Sequence, residues 1–321
     1  MKKVLKLAMV LMAMIAMPAL AQQKNYKDSI VVARDGTGDY RTIQEAVESV
    51  RAFMDYTVNI YIKPGTYKEK LVVPSWVRNV QFIGEDANTT VITYDDHANI
   101  NKMGTFRTYT VKVEGTGITF KNLTIENNAA QLGQAVALHT EGDKLKFINC
   151  RFLGNQDTIY TGKERTRIYF GDCYIEGTTD FIFGPATALF ERCIICSKRD
   201  SYVTAASTPA DVEYGYVFKD CKLTAIEGIT KVYLGRPWRP YAATVFMNCE
   251  LGSHILAAGW HNWKNPDNEK TARYAEYQNT GAGAGTADRV AWSRQLSSKE
   301  AKQYTLENIF KDFSQWNPFE K

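Results

Sequence analysis

Phe147-Ile148-Asn149-Cys150-Arg151-Phe152 is one copy of a phrase, Phe-x-x-Cys-x-apolar, that the chain repeats. It returns at 170–175, 190–195, 218–223 and 246–251, and an earlier copy at 120–125 carries Leu123 in the cysteine slot. Successive phenylalanines lie 27, 23, 20, 28 and 28 residues apart. Alternating apolar positions mark short strands, Asn or Asp beside the cysteine suits a turn, and no helical pattern intervenes. Such a unit predicts an all-β fold: a right-handed parallel β-helix with one coil per repeat. A leucine-rich repeat shares the period but not the composition, and an unrelated β-sandwich is the plain alternative.

A single coil cannot bury its inner face, so stacking must place Phe over Phe and Cys over Cys. Leu123 shows that the cysteine slot takes an apolar side chain, and a buried cysteine behaves as a small hydrophobe. Cys150, Cys173, Cys193, Cys221 and Cys249 therefore read as free packing thiols, although an even count of six in an exported chain ordinarily points to disulfides. Cys196 falls outside the ladder and has no assigned place.

The ends depart from the repeat. Thr42-Ile43-Gln44-Glu45 is a capping box, and Ile43, Ala46, Val47 and Val50 give an apolar face to a helix running to about Phe53 that would close the N-terminal edge. Strands are expected at 58–62 and 70–73, joined through Pro64-Gly65-Thr66-Tyr67. Beyond Leu251 the repeat fades into an aromatic-rich tail, with short helices starting at Ser297 and near Thr305, and a surface loop at 281–285.

Residues 1–21 combine Lys2 and Lys3, an apolar run to Met17 and a Pro18-Ala19-Leu20-Ala21 end. This is the pattern of a secretory signal peptide, and the run is short for a membrane span. The expected mature chain is 22–321, one β-helix domain, exported to the periplasm or the extracellular space and free of the membrane. Removing Lys2, Lys3 and Lys6 lowers the basic count from 39 to 36 against 35 acidic residues, so the formal charge falls from +4 to +1. Nothing in that balance calls for nucleic acid.

Two segments carry the candidate chemistry: Gly154-Asn155-Gln156-Asp157-Thr158-Ile159-Tyr160 and Gly177-Thr178-Thr179-Asp180-Phe181-Ile182-Phe183-Gly184. Asp157 and Asp180 each lie seven residues after a ladder cysteine, so they should sit in equal register about 4.8 Å apart. Two such carboxylates do not ionise together readily, which suits acid–base or nucleophilic chemistry. Asp200 also lies seven residues after a cysteine, Cys193, and is read as structural. Gln156 and Gln134 offer amide N–H groups to an oxyanion. Arg236, in Leu234-Gly235-Arg236-Pro237-Trp238, can orient a carboxylate, and Trp238, Tyr160 and Phe183 present flat faces for sugar rings. The four histidines lack zinc-ligand spacing. There is no Gly-x-Ser-x-Gly elbow, phosphate loop or dinucleotide fingerprint.

On these residues the chain resembles the pectin methylesterase (pectinesterase) family. Gly65-Thr66-Tyr67-Lys68-Glu69, Gln134 to Leu138, the two aspartate segments, Leu234 to Trp238, Gly259-Trp260 and Ala275-Glu276-Tyr277 follow that family's motifs in order, over nearly the whole mature chain. The resemblance implies a right-handed parallel β-helix and hydrolysis of galacturonate methyl esters in pectin, releasing methanol and pectate. It implies Asp180 as nucleophile, Asp157 as general acid and base, Gln156 with Gln134 at the oxyanion, and Arg236 orienting Asp180. Trp238, Tyr160 and Phe183 would contact the polysaccharide. No metal or cofactor is implied, and a monomer is expected.

Overall fold

The computed structural model describes residues 27–311 and 314–320; the expected signal peptide lies outside them. The backbone winds into three parallel sheets of eleven, seven and eight strands, each coil contributing one strand to each sheet along the repeat. Register follows the phrase. Phe147 pairs with Phe120 on one side and Phe170 on the other, and Phe152 aligns with Ile175, then Ile195, Leu223 and Leu251. This is the expected parallel β-helix.

The interior is a column of rings. Phe120, Phe147, Phe170, Phe190, Phe218 and Phe246 stack at centroid separations of 4.3–5.4 Å with planes within 15°. Phe82 extends the column by one coil at 4.5 Å, a copy that the sequence phrase does not reveal. The strand spacing imposes the stacking, and complete burial stabilises it; truncating one such ring to alanine costs about 3–5 kcal/mol.

All six cysteines are free and buried. Cys173, Cys193, Cys221 and Cys249 donate along the coil axis to the carbonyl of the previous repeat's phenylalanine, as Cys173 does to Phe147 at 3.4 Å and Cys221 to Phe190 at 3.3 Å. The residue just before each slot turns the corner in the left-handed region. Asn122, Asn149, Asp172, Asp220 and Asn248 have φ between 50° and 55°, which short polar side chains tolerate. Arg192 does the same at φ 52° without that advantage. Cys196 lies buried on strand Ile194–Ser197, aligned with Glu176 on one side and Thr224 on the other.

The N-terminal helix spans Ile43–Ser49 with the expected capping box, and buries Ile43, Ala46 and Val47. Glu69, one residue past the strand Gly65–Lys68, places both carboxylate oxygens on the Ile43 and Gln44 amides at 3.0 and 2.9 Å, satisfying two N–H groups that the first turn leaves open. The Gln44 side chain then accepts from Val72 on the exposed sheet edge at 2.8 Å. Two expectations are corrected. The helix stops at Ser49, because Val50 is extended and Phe53 has φ 56° and is 65% exposed. Residues 65–67 are no connecting turn: they belong to the strand Gly65–Lys68, paired with Thr90–Tyr94, because each coil needs a third strand.

The tail continues the eleven-stranded sheet by two strands, Arg273–Tyr277 and Arg294–Gln295. A buried ion pair organises it. Arg289 meets both oxygens of Glu276 at 2.7 and 3.1 Å, and its remaining donors reach the carbonyls of Leu256, Ala257 and Gly283. The helices Ser298–Ala301 and Leu306–Ile309 start at Ser297 and Thr305 as expected.

Candidate active site

The seven-stranded sheet carries the site on its outer face. The strands Ile159–Thr161, Ile182–Gly184, Tyr202–Ala206 and Tyr233–Gly235 lie side by side. Ile159 aligns with Ile182, so Asp157 and Asp180, two residues before each, share a register on adjacent coils. Asp157 N–H donates to the carbonyl of Thr179 at 3.1 Å, and Asp180 N–H to that of Tyr202 at 2.9 Å. Both aspartates are left-handed, at φ 67° and 50°, so each turn lifts a carboxylate out of the sheet just before its strand begins.

The next position in this row is not Asp200. Ile182 aligns with Thr204, which puts Tyr202 opposite Asp180. Thr204 lies eleven residues after Cys193 where Ile182 lies nine after Cys173 (204 − 193; 182 − 173), so equal distance from the cysteine no longer means equal register. Asp200 is displaced into the bend, where Oδ1 accepts from the Thr230 and Lys231 amides at 2.8 and 2.9 Å. Its role is structural, as expected.

Arg236 reaches back across two coils. Its Nε and Nη2 donate to the two carboxylate oxygens of Asp180 at 2.9 and 2.6 Å. The guanidinium is clamped from both sides, 3.9 Å from the Tyr202 ring centroid and 3.7 Å from that of Trp263. Two aromatic faces over one cation fix its plane. His261 supports both: its ring lies 5.3 Å from those of Tyr202 and Tyr233, and its Nδ1 accepts from Trp263 N–H at 2.9 Å.

The two carboxyl groups are placed differently. Burial pushes Asp157 well above the ordinary aspartate range, the charge of Asp180 pushes it further, and Arg236 offsets only part. Burial also raises Asp180, but there Arg236 opposes it through both its hydrogen bonds and its charge. Asp180 therefore does not fall below the ordinary 3.8, because burial outweighs the arginine. Asp157 is thus pushed up further than Asp180, which alone has Arg236 hydrogen-bonded to it.

A cleft of about 240 Å³ opens over the pair, lined by Gln134, Gln156, Phe183, Arg236, Trp238 and Trp263 among others. No described residue holds the side-chain amide of Gln134 or Gln156, so both are free to meet a ligand. Phe183 stacks on Tyr160 at 4.7 Å and meets Trp238 edge-on at 5.8 Å. Tyr160 stands behind the lining residues, in the aromatic wall that continues to His139 and Phe106, each 4.8 Å away. Phe106, Trp263 and Tyr202 escaped sequence reading. Phe106 belongs to the single turn Thr105–Arg107 and Trp263 to the non-repetitive tail, so neither has a periodic signal; Tyr202 is hidden by the two-residue register shift after Cys193. Among the described residues no three His, Cys, Asp or Glu side chains converge as metal ligands.

The pectinesterase family model matches residues 29–312. The chain belongs to the pectinesterase family. Members of this family are carboxylic ester hydrolases. The chain is 38% identical over 301 residues to pectinesterase 31 of Arabidopsis thaliana, an alignment covering 90% of this chain and 93% of the relative. Its fold superposes on the pectin methylesterase from carrot with a TM-score of 0.83 at 35% identity, covering 87% of this chain and 92% of the other. A pectin methylesterase solved with a bound hexasaccharide gives 0.77 at 29% identity, covering 90% and 98%.

Proposed function

We propose that this pectinesterase removes methyl groups from galacturonate units of homogalacturonan with Asp180 as nucleophile. The observation that carries the reading is the two-pronged grip of Arg236 on Asp180, beside a buried Asp157 whose burial pushes its carboxyl well above the ordinary range. An ionised Asp180 attacks the ester carbonyl carbon. The oxyanion so formed is met by the amides of Gln156 and Gln134. The tetrahedral adduct collapses to an acyl-enzyme anhydride, and the departing methoxide takes the proton of Asp157 and leaves as methanol. Asp157, now a carboxylate, accepts a proton from water. The resulting hydroxide attacks the acyl carbon, releasing the uronate and restoring Asp180. Trp238 and Phe183, backed by Tyr160, give the polymer an aromatic wall that sugar rings lie against. Among the described residues no helix is long and apolar enough to cross a membrane. We take the enzyme to work as a monomer outside the cytoplasm, on the single domain 22–321.

Methanol release from methylated pectin, followed together with chain length, tests this. Methanol without shortened chains is the expected result. Shortened chains point instead to a lyase or a galacturonan hydrolase, and binding without either product to a non-catalytic pectin receptor.

A further inference from the structure

A second trough lies on the eleven-stranded sheet, a different face of the coil from the catalytic cleft. It encloses about 720 Å³, three times the volume of that cleft. Its floor is a polar column: Asn59, Gln81, Thr119 and Lys146 align on four successive strands. Three strand steps make it about 14 Å long. Lys121 and Lys144 flank the column. On the outer faces of neighbouring repeats the corresponding positions are largely apolar, as with Leu189, Val217 and Val245 beneath the tail.

The lysines lack carboxylate partners among the described residues. Lys121 Nζ donates to the amide oxygen of Gln81 at 3.0 Å, and Lys146 Nζ to the carbonyl of Pro318 at 3.3 Å. Glu320, the one side-chain carboxylate among the described residues of the rim, accepts from Asn317 instead. Partial burial and the neighbouring Lys121 both work against the charge on Lys146, so an anion in the trough relieves an existing cost. Trp316 and Phe319 wall one side, and Phe319 is 56% exposed.

We propose that this trough is a non-catalytic binding site for de-esterified galacturonate chains. Cations spaced along a groove meet a polymer carrying one carboxylate per sugar, amides and a threonine hydroxyl meet its hydroxyls, and the two aromatic faces meet its rings. The ligand is the class of product that the proposed reaction makes, and the assignment rests on that reading. The trough would hold the enzyme on stretches it has already processed.

The test is calorimetric titration of the mature enzyme with a fully de-esterified galacturonate hexamer and with its fully methylated counterpart. It is repeated on Lys121→Gln/Lys146→Gln and on Trp238→Ala. The wild type should bind the de-esterified hexamer at a salt-sensitive site that Trp238→Ala retains. The lysine variant should lose about tenfold or more in affinity at that site, with methanol release from a short methylated substrate unchanged. Removing two like charges should leave the thermal midpoint equal or higher, so lost binding is separable from lost fold. A lysine variant that binds the hexamer as the wild type does overturns the proposal, as does a shift of the wild type to dimer in sedimentation that the lysine substitutions abolish. If the wild type releases no methanol, the esterase reading fails, whereas the lysine-dependent binding is still measured directly.

Discussion

Arg236 holds Asp180 by both carboxylate oxygens, at 2.9 and 2.6 Å, from two coils further along the chain. That pairing aims the carboxylate and opposes the rise that burial imposes on it. Lysine at 236 keeps a charge but loses the fork. We expect Arg236→Lys to lose much of kcat and Arg236→Ala more. In Arg236→Ala the acidic limb of the pH–rate profile should move upward, because Asp180 loses its cation. A variant that alters only KM and leaves the limb in place would make Arg236 a substrate clamp.

Asp157 couples activity to stability. Its folded-state pKa lies above the ordinary 3.8, so its favourable contribution is complete below that value and is lost as pH rises through the folded-state pKa. Above that range the buried carboxylate is a constant cost. Asp157→Asn should therefore lose kcat by about 10²–10⁴, yet unfold at a higher temperature than wild type near pH 8. The gap should close on acidification towards pH 3.8. Thermal unfolding of both proteins across that range checks this; a gap that grows on acidification contradicts the assigned protonation.

Tyr202 acts through Arg236. Its ring lies 3.9 Å from the guanidinium opposite Trp263, an arrangement worth about 0.5–2 kcal/mol. Tyr202→Leu should lower kcat by roughly tenfold and shift the acidic limb upward, in the direction of Arg236→Ala but less far. Tyr202→Phe should restore both. A Tyr202→Phe variant as impaired as Tyr202→Leu would assign the effect to the hydroxyl instead of the ring face.

Trp238 lines the cleft without touching the aspartate pair, and its ring is covered by Arg239 at 4.8 Å. Trp238→Ala should mainly raise KM, as expected of a contact shared by ground and transition states. Initial rates on one methylated pectin, with kcat and KM resolved, decide between this and a role in catalysis.

The thiols test the coil itself. All six are free and buried, and in-register neighbours point the same way at about 4.8 Å, too far and too parallel for a disulfide with Cβ atoms about 3.8 Å apart. Native protein should be nearly inert to a thiol reagent, and protein denatured without reductant should titrate six equivalents. Two native disulfides detected by mass spectrometry would contradict this packing.

The sequence by itself determined whatever depends on repetition. The Phe and Cys positions state the coil, and the residue before each cysteine states where it turns. Equal offsets put Asp157 beside Asp180, because stacking converts sequence period directly into spatial register. The tertiary structure decided the rest. Asp200 had the right offset from Cys193, but a two-residue register shift in that coil handed its place in the row to Tyr202. Trp263 reaches Arg236 from a tail with no period, and Phe106 joins the aromatic wall from a single turn. The balance between burial and Arg236 at Asp180 depends on how deeply the pair sits. Local pattern carries distances along the chain, whereas these contacts join segments whose separation follows no repeat, so only the folded coil brings them together.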